Sequence, residues 1–126
     1  MKKVLVFGSF DVIHKGHLHF FGQARKHGDK LVAVIARDET IKQLKGKKPR
    51  YSEKARLRHV SKHVDKVFLG NKTNKYGIIK KIKPDVICLG YDQNSFTKDL
   101  KKHFKKKIRR LKPYKPHIYK SSKIRA

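Results

Sequence analysis

Short apolar runs separated by amphipathic stretches set the pattern of this chain. Val4-Leu5-Val6-Phe7 has the length and the branched content of a buried parallel strand, and residues about 3–7 are expected to form one. Leu31-Val32-Ala33-Val34-Ile35-Ala36 is apolar on both faces and predicts a second strand. Val64 to Leu69, ending at Gly70, and Val86-Ile87-Cys88-Leu89-Gly90 predict two more. Between them the period lengthens. Leu18, Phe21 and Ala24 recur at helical spacing over residues about 16–27, with Gly28 expected as the helix C-cap. A short helix is expected from Asp38 to Leu44, and Ser52 reads as the N-cap of another running to about Ser61. Asn74 is expected to open a helix carrying Ile78, Ile79 and Ile82, which Lys83-Pro84-Asp85 breaks. Leu100, Phe104, Ile108 and Leu111 fit either a helix throughout, or a helix to about residue 105 and an edge strand over about 107–111. The second is the expectation adopted.

Strands alternating with helices imply a parallel α/β sheet covered on both faces, with right-handed crossovers. Ligands of such sheets bind beyond the carboxyl ends of the strands, where the strand order reverses. With the order 3-2-1-4-5, strands one and four are neighbours at that point. The loops Gly8-Ser9-Phe10 and Gly90-Tyr91-Asp92-Gln93 would then flank one crevice.

Composition narrows the class. The 126 residues suit one domain, 1–126, with a single core, and 37% are hydrophobic. No run of 18 apolar residues exists to cross a membrane, and the apolar stretch after Lys2-Lys3 is too short for a signal peptide. Cys88 is the only cysteine, set in an apolar run, so it reads as a core residue. A cytoplasmic protein is the expectation. The net charge of +26 favours polyanions non-specifically, and basic residues are densest from Lys98 onward, where Asp99 is the only acid. Lysine is far in excess of arginine, unlike dedicated nucleic-acid surfaces. Attraction of a polyphosphate substrate fits that charge better.

The chemistry concentrates after the first strand. The turn Gly8-Ser9-Phe10-Asp11 delivers His14-Lys15-Gly16-His17 to a helix start. Residues three apart share one helix side, so both imidazoles can face one way. Gly16 lets a phosphate approach the backbone, and the helix N-terminus offers free N–H groups and a positive dipole end. The same spacing suits a metal, but no paired Cys or His cluster elsewhere supplies the remaining ligands, so no metal ligand is assigned.

Gly8-Ser9-Phe10-Asp11-Val12-Ile13-His14-Lys15-Gly16-His17 resembles the H-x-G-H signature of the cytidylyltransferase-like nucleotidyltransferases. The resemblance implies a Rossmann-like three-layer α/β/α sandwich. It also implies an enzyme that joins a nucleoside triphosphate, carried with Mg2+, to a phosphorylated small-molecule acceptor and releases pyrophosphate. His14 and His17 would be catalytic, donating hydrogen bonds to phosphate oxygens. Gly8, Ser9, Phe10, Lys15 and Gly16 would bind nucleotide beside them. Ser121-Ser122-Lys123-Ile124-Arg125 resembles the family's Ser/Thr-rich phosphate motif, which adds Ser121 and Ser122, although the chain stops at Ala126. Gly90-Tyr91-Asp92-Gln93 resembles the loop of the archaeal FAD synthetase-like branch, the FMN adenylyltransferases, and adds Asp92. Tyr91 stands where the glycerol-3-phosphate cytidylyltransferases have an acid, and the chain has no tryptophan. Ala36-Arg37-Asp38-Glu39-Thr40 and Gly46-Lys47-Lys48-Pro49 are also similar to the FAD-forming branch. Asp11, Lys45, Lys47, Lys48, Arg56 and Arg125 are further candidates for phosphate or acceptor contacts. Asp11 alternatively orients a histidine or serves magnesium, and Arg56, in an E-x-x-R helix, alternatively holds structure.

The resemblance favours ATP and FMN as substrates, with CTP and glycerol 3-phosphate as the alternative pair. A homodimer is a further possibility. A non-catalytic RNA-binding module is the competing class, and two intact histidines argue against it.

Overall fold

The computed structural model describes residues 2–70, 77–90, 100, 104 and 106–111. The chain runs β1 (Lys3–Gly8), α1 (Lys15–Arg25), β2 (Lys30–Ile35), α2 (Asp38–Lys45), α3 (Glu53–Ser61), β3 (Lys66–Leu69), α4 (Gly77–Ile82), β4 (Val86–Leu89) and β5 (Lys107–Arg110). The five strands form one sheet in the order β3-β2-β1-β4-β5, and every pair is parallel. This is the Rossmann-like α/β arrangement expected from the sequence.

The period of two along each strand divides the apolar side chains between two cores. Val4 and Val6 of β1, Leu31, Ala33 and Ile35 of β2, and Val86 and Cys88 of β4 face one side, where Phe21 and Ala24 of α1 and Val60 of α3 cover them. Leu5, Val32, Val34, Ile87 and Leu89 face the other, against Ile78, Ile79 and Ile82 of α4 together with Leu100 and Phe104. Burial on both faces is why the central strands read as unbroken apolar runs. At the edge, β5 keeps only Ile108 partly buried and exposes Lys107, Arg109 and Arg110. Charges on an edge strand discourage pairing with another chain. No helix among the described residues is long and apolar enough to cross a membrane.

Three aspartates close the amino-terminal edge of the sheet. Asp29, Asp65 and Asp85 each stand just before a strand and accept a neighbouring backbone N–H, from Lys2, Leu31 and Lys3 at 2.9, 2.8 and 2.8 Å. The Asp65 carboxylate takes up the Leu31 N–H beside β3, which begins at Lys66 rather than at Val64. These backbone bonds hold the Asp65 and Asp85 carboxyls below the usual aspartate range, helped by Arg25 and Lys106 respectively.

Two local expectations are corrected. Gly28 does not cap α1; Lys26 does, in a right-handed conformation. The absence of a Cβ at Gly28 instead permits close approach, since one would lie 2.6 Å from Val4 Cγ2 and 2.9 Å from the Lys2 carbonyl. Leu18 is not in the core of α1 but 44% exposed. Phe20, partly buried, joins Phe21 and Ala24 on the packed side. At the far end, Leu111 N donates to Leu89 O just beyond β5, which agrees with the edge-strand expectation. Leu100 is helical and its carbonyl accepts from Phe104 N, while the rest of the expected helix lies outside the described residues. Asn74 lies outside the described residues.

Candidate active site

The chain leaves β1 at Gly8 and turns beneath its own ring system. Phe10 has φ 49°, a left-handed conformation that is rare for an aromatic residue. Its ring folds back over β1, so a Cβ on Gly8 would stand 2.7 to 3.0 Å from three of its atoms. The ring is buried against Phe21 at 5.2 Å and meets the His17 ring edge-on at 5.5 Å. The resemblance makes Phe10 a nucleotide-binding residue. Its side chain is the wedge that seats the turn and supports a histidine.

Asp11 is buried, with 1% exposure. Its two carboxylate oxygens accept the backbone N–H groups of Arg50 and Tyr51 at 2.7 and 2.8 Å. The carboxylate thus fastens the loop after α2, which carries Lys47 and Lys48, to the turn before the histidines. Neither the magnesium role nor the phosphate role expected of Asp11 fits an acid so engaged.

At the mouth of α1 the two histidines form the helix cap. His14 is the N-cap in extended conformation, and its Nδ1 accepts from Gly16 N at 3.0 Å. His17 Nδ1 accepts in return from His14 N at 3.4 Å. This is a capping box with imidazoles in the places usually held by Ser or Thr and by Glu. The rings stack with centroids 4.0 Å apart and planes inclined by 25°. Burial pulls the His14 pKa below its ordinary 6.5. The first turn of α1 has no acidic residue to offset its positive dipole end. Lys15 is exposed beside the rings.

Arg56 of α3 is wholly buried, with no exposed surface. Nε donates to Tyr51 O, Nη1 to Ser9 O and Ala36 O, and Nη2 to Asp38 Oδ1, at 3.1, 2.9, 2.7 and 2.7 Å. The guanidinium therefore joins the turn after β1, the end of β2, the start of α2 and the entrance to α3. It offers no face to a phosphate, so of the two roles expected of it the structural one stands. Tyr51 is held at both ends, its N–H by Asp11 and its carbonyl by Arg56. Arg37 adds a tie the sequence did not single out. Its Nε donates to Gly70 O at 2.6 Å, and its Nη1 lies 3.6 Å from Glu53 Oε2.

Lys47 and Lys48 are exposed on the fastened loop. The side chain of Lys45 lies outside the described residues, as do Asp92, Ser121, Ser122 and Arg125. Adjacent pairing of β1 and β4 does bring Gly8 and Gly90 to one edge of the sheet. Among the described residues no group of three His, Cys, Asp or Glu could hold a metal ion.

Paired histidines at the helix start beyond the carboxyl end of β1, in a 3-2-1-4-5 parallel sheet, mark a nucleotidyltransferase of the α/β class. The chain belongs to the cytidylyltransferase-like family, whose family model matches residues 5–126. It is 40% identical to the FAD synthase of Thermococcus sibiricus, over 97% of this chain and 88% of that protein. It is 38% identical to the FAD synthase of Thermoplasma acidophilum, over 99% of this chain and 92% of that one. Among solved structures, the lipopolysaccharide core biosynthesis protein of Thermoplasma volcanium GSS1 superimposes with a TM-score of 0.83 at 37% identity, covering 90% of this chain and 98% of that chain.

Proposed function

We propose that this chain is an FMN adenylyltransferase, which transfers the adenylyl group of ATP to FMN and so forms FAD. The observation that carries the choice of substrates is identity of about 40% across nearly the whole chain to proteins named FAD synthase. The phosphate chemistry rests on the histidine cap of α1.

The reaction is an in-line displacement. A phosphate oxygen of FMN attacks the α-phosphorus of ATP, the bond to the bridging oxygen breaks, and pyrophosphate leaves. No covalent enzyme intermediate is needed, so the protein's contribution is positioning and charge stabilisation. His14 and His17 direct ring N–H donors at the oxygens where charge grows. The N-terminal amides and dipole of α1 favour the same anions. Lys47 and Lys48, on the loop that Asp11 fastens, bring positive charge to the leaving pyrophosphate. Asp92, Ser121 and Ser122 complete the nucleotide site. Mg2+ fits as an ion held chiefly by phosphate oxygens and water, because the Asp11 carboxylate, in the turn before the histidines, accepts backbone amides. When bound it neutralises triphosphate charge.

The test is product chromatography after incubation of ATP or CTP with FMN or glycerol 3-phosphate. FAD from ATP and FMN is expected, with CTP and FMN the poorer pair. CDP-glycerol from CTP, with no FAD from ATP, would replace this reading with the cytidylyltransferase one.

A further inference from the structure

We propose that His14 and His17 work as an electrically neutral pair, in which each Nδ1 is an acceptor within the cap of α1 and each Nε2–H is the donor offered to phosphate. The inference rests on the proposed function for the identity of the reaction, but not for the state of the rings.

A neutral imidazole has one donor nitrogen and one acceptor nitrogen. Gly16 N points its hydrogen at His14 Nδ1, and His14 N points its own at His17 Nδ1. An N–H on either Nδ1 would set two donors against each other. The proton of each ring must therefore reside on Nε2, at the end away from the backbone. An imidazolium, with protons on both nitrogens, is incompatible with the cap for the same reason.

The surroundings also oppose a positive ring. The two rings are 4.0 Å apart, so a proton on one repels a proton on the other. The positive end of α1 lies directly beneath them. Lys15 flanks them on their own helix, and Arg50, Lys47 and Lys48 belong to the loop fastened by Asp11. Arg56 of α3 reaches Ser9 in the turn before them. Asp11 is the acid of this turn, and its oxygens are committed to Arg50 N and Tyr51 N. The side chain packed on His17 is the uncharged ring of Phe10. The burial that lowers the His14 pKa acts in the same direction. The pair therefore stabilises phosphate by directed hydrogen bonds, while fixed positive charge comes from the lysines and the helix end.

The arrangement also makes each histidine bifunctional. Loss of the ring removes a catalytic donor and uncaps the helix that carries the other donor. Replacements can separate the two jobs. Asn reproduces an acceptor near the Nδ1 position and is a favoured N-cap, but it does not reach the Nε2 position. Ala supplies neither.

The test uses the full chain without substrate. Nitrogen NMR of the isotopically labelled imidazoles at about pH 7 should show both rings protonated on Nε2 alone, with Nδ1 acting as an acceptor. Thermal melting should give His14→Asn close to the parent and His14→Ala lower by a few degrees, on the order of the shift from one lost cap. Both variants should lose turnover by about 10²–10³-fold. An Nδ1–H tautomer in either ring, a doubly protonated ring, or His14→Asn melting as low as His14→Ala would overturn the proposal. The NMR and melting results stand whichever substrates are turned over, so a failure of FAD formation leaves them readable. Equally, refuted tautomers leave FAD formation untouched.

Discussion

Replacing Arg56 by Met tests whether this arginine holds the site together or binds substrate. The guanidinium is fully buried and donates to Tyr51 O, Ser9 O, Ala36 O and Asp38 Oδ1. Met fills much of the same volume and makes none of these bonds. Three carbonyls then lose a charged donor, at about 1–3 kcal/mol for each acceptor left without a partner. Two effects reduce the sum. Asp38 is 41% exposed and regains water. Removal of a buried charge also returns its desolvation cost. The net loss is put at about 3 kcal/mol, within the span of about 3–5 kcal/mol typical of a buried pair broken from one side. With a urea m-value of about 2 kcal/mol/M, the unfolding midpoint should fall by about 1.5 M. The assay is urea denaturation of the full chain followed by circular dichroism, with ATP affinity measured where the variant is folded. Arg56→Lys should recover only part of the loss, because one ammonium cannot serve the separated acceptors of a planar fork. A midpoint within about 0.3 M of the parent would refute the reasoning, since three unpartnered carbonyls cannot cost so little. A parental midpoint combined with much weaker ATP binding would make Arg56 a phosphate ligand after all.

His14→Ala and His17→Ala should each lower kcat by about 10²–10³-fold in the adenylyl-transfer assay, and near-parental turnover in both would remove them from the chemistry. Gly8→Ala places a Cβ 2.7 Å from the Phe10 ring, so denaturation should show a loss of about 1–3 kcal/mol that Phe10→Leu in the same chain partly relieves. An unchanged midpoint for the single variant would mean that the ring is not wedged over β1. Stability should also depend on pH in two stages. The fold lowers the His14 pKa below 6.5, so the stability due to its neutral form is present above that value and lost as pH falls through the folded pKa. Asp65 and Asp85 are likewise lowered from 3.8, and their contributions are lost only below that value. Melting temperature against pH should therefore be flat above about 6.5, decline gently, and decline again in strong acid. A rise in melting temperature between about pH 6.5 and 5 would contradict the sign of the His14 effect.

The strands were legible because burial on both faces leaves an unbroken apolar run, and their period of two assigns Val4 and Val6 to one core and Leu5 to the other. The pairing of β1 with β4 follows from the strand order 3-2-1-4-5, which the alternation of strands and helices allows but does not by itself fix. The histidine turn was legible for a similar reason, since its residues are neighbours in sequence. The roles of the buried charges were not. Asp11 is bound by backbone amides 39 and 40 positions away, and Arg56 by carbonyls 5, 20 and 47 positions away. Main-chain groups carry no letter, so no residue pattern announces them. Arg56 therefore carried both a phosphate and a structural reading, and only its carbonyl partners decide for the second. The same blindness hid the cap of α1, because N-cap preferences favour Ser, Thr, Asp and Asn, and two imidazoles accepting backbone protons fall outside that rule. Gly28 failed for the opposite reason. A glycine after a helix looks like a left-handed cap, yet here a side chain is forbidden by Val4 and the Lys2 carbonyl, which only the packing of β1 beside β2 brings near. In each case the residue was visible and the partners, mostly backbone, were supplied by the topology. A site assembled in this way depends on charge and backbone together, which is why Arg56→Met and His14→Asn probe it more sharply than replacement of any exposed lysine.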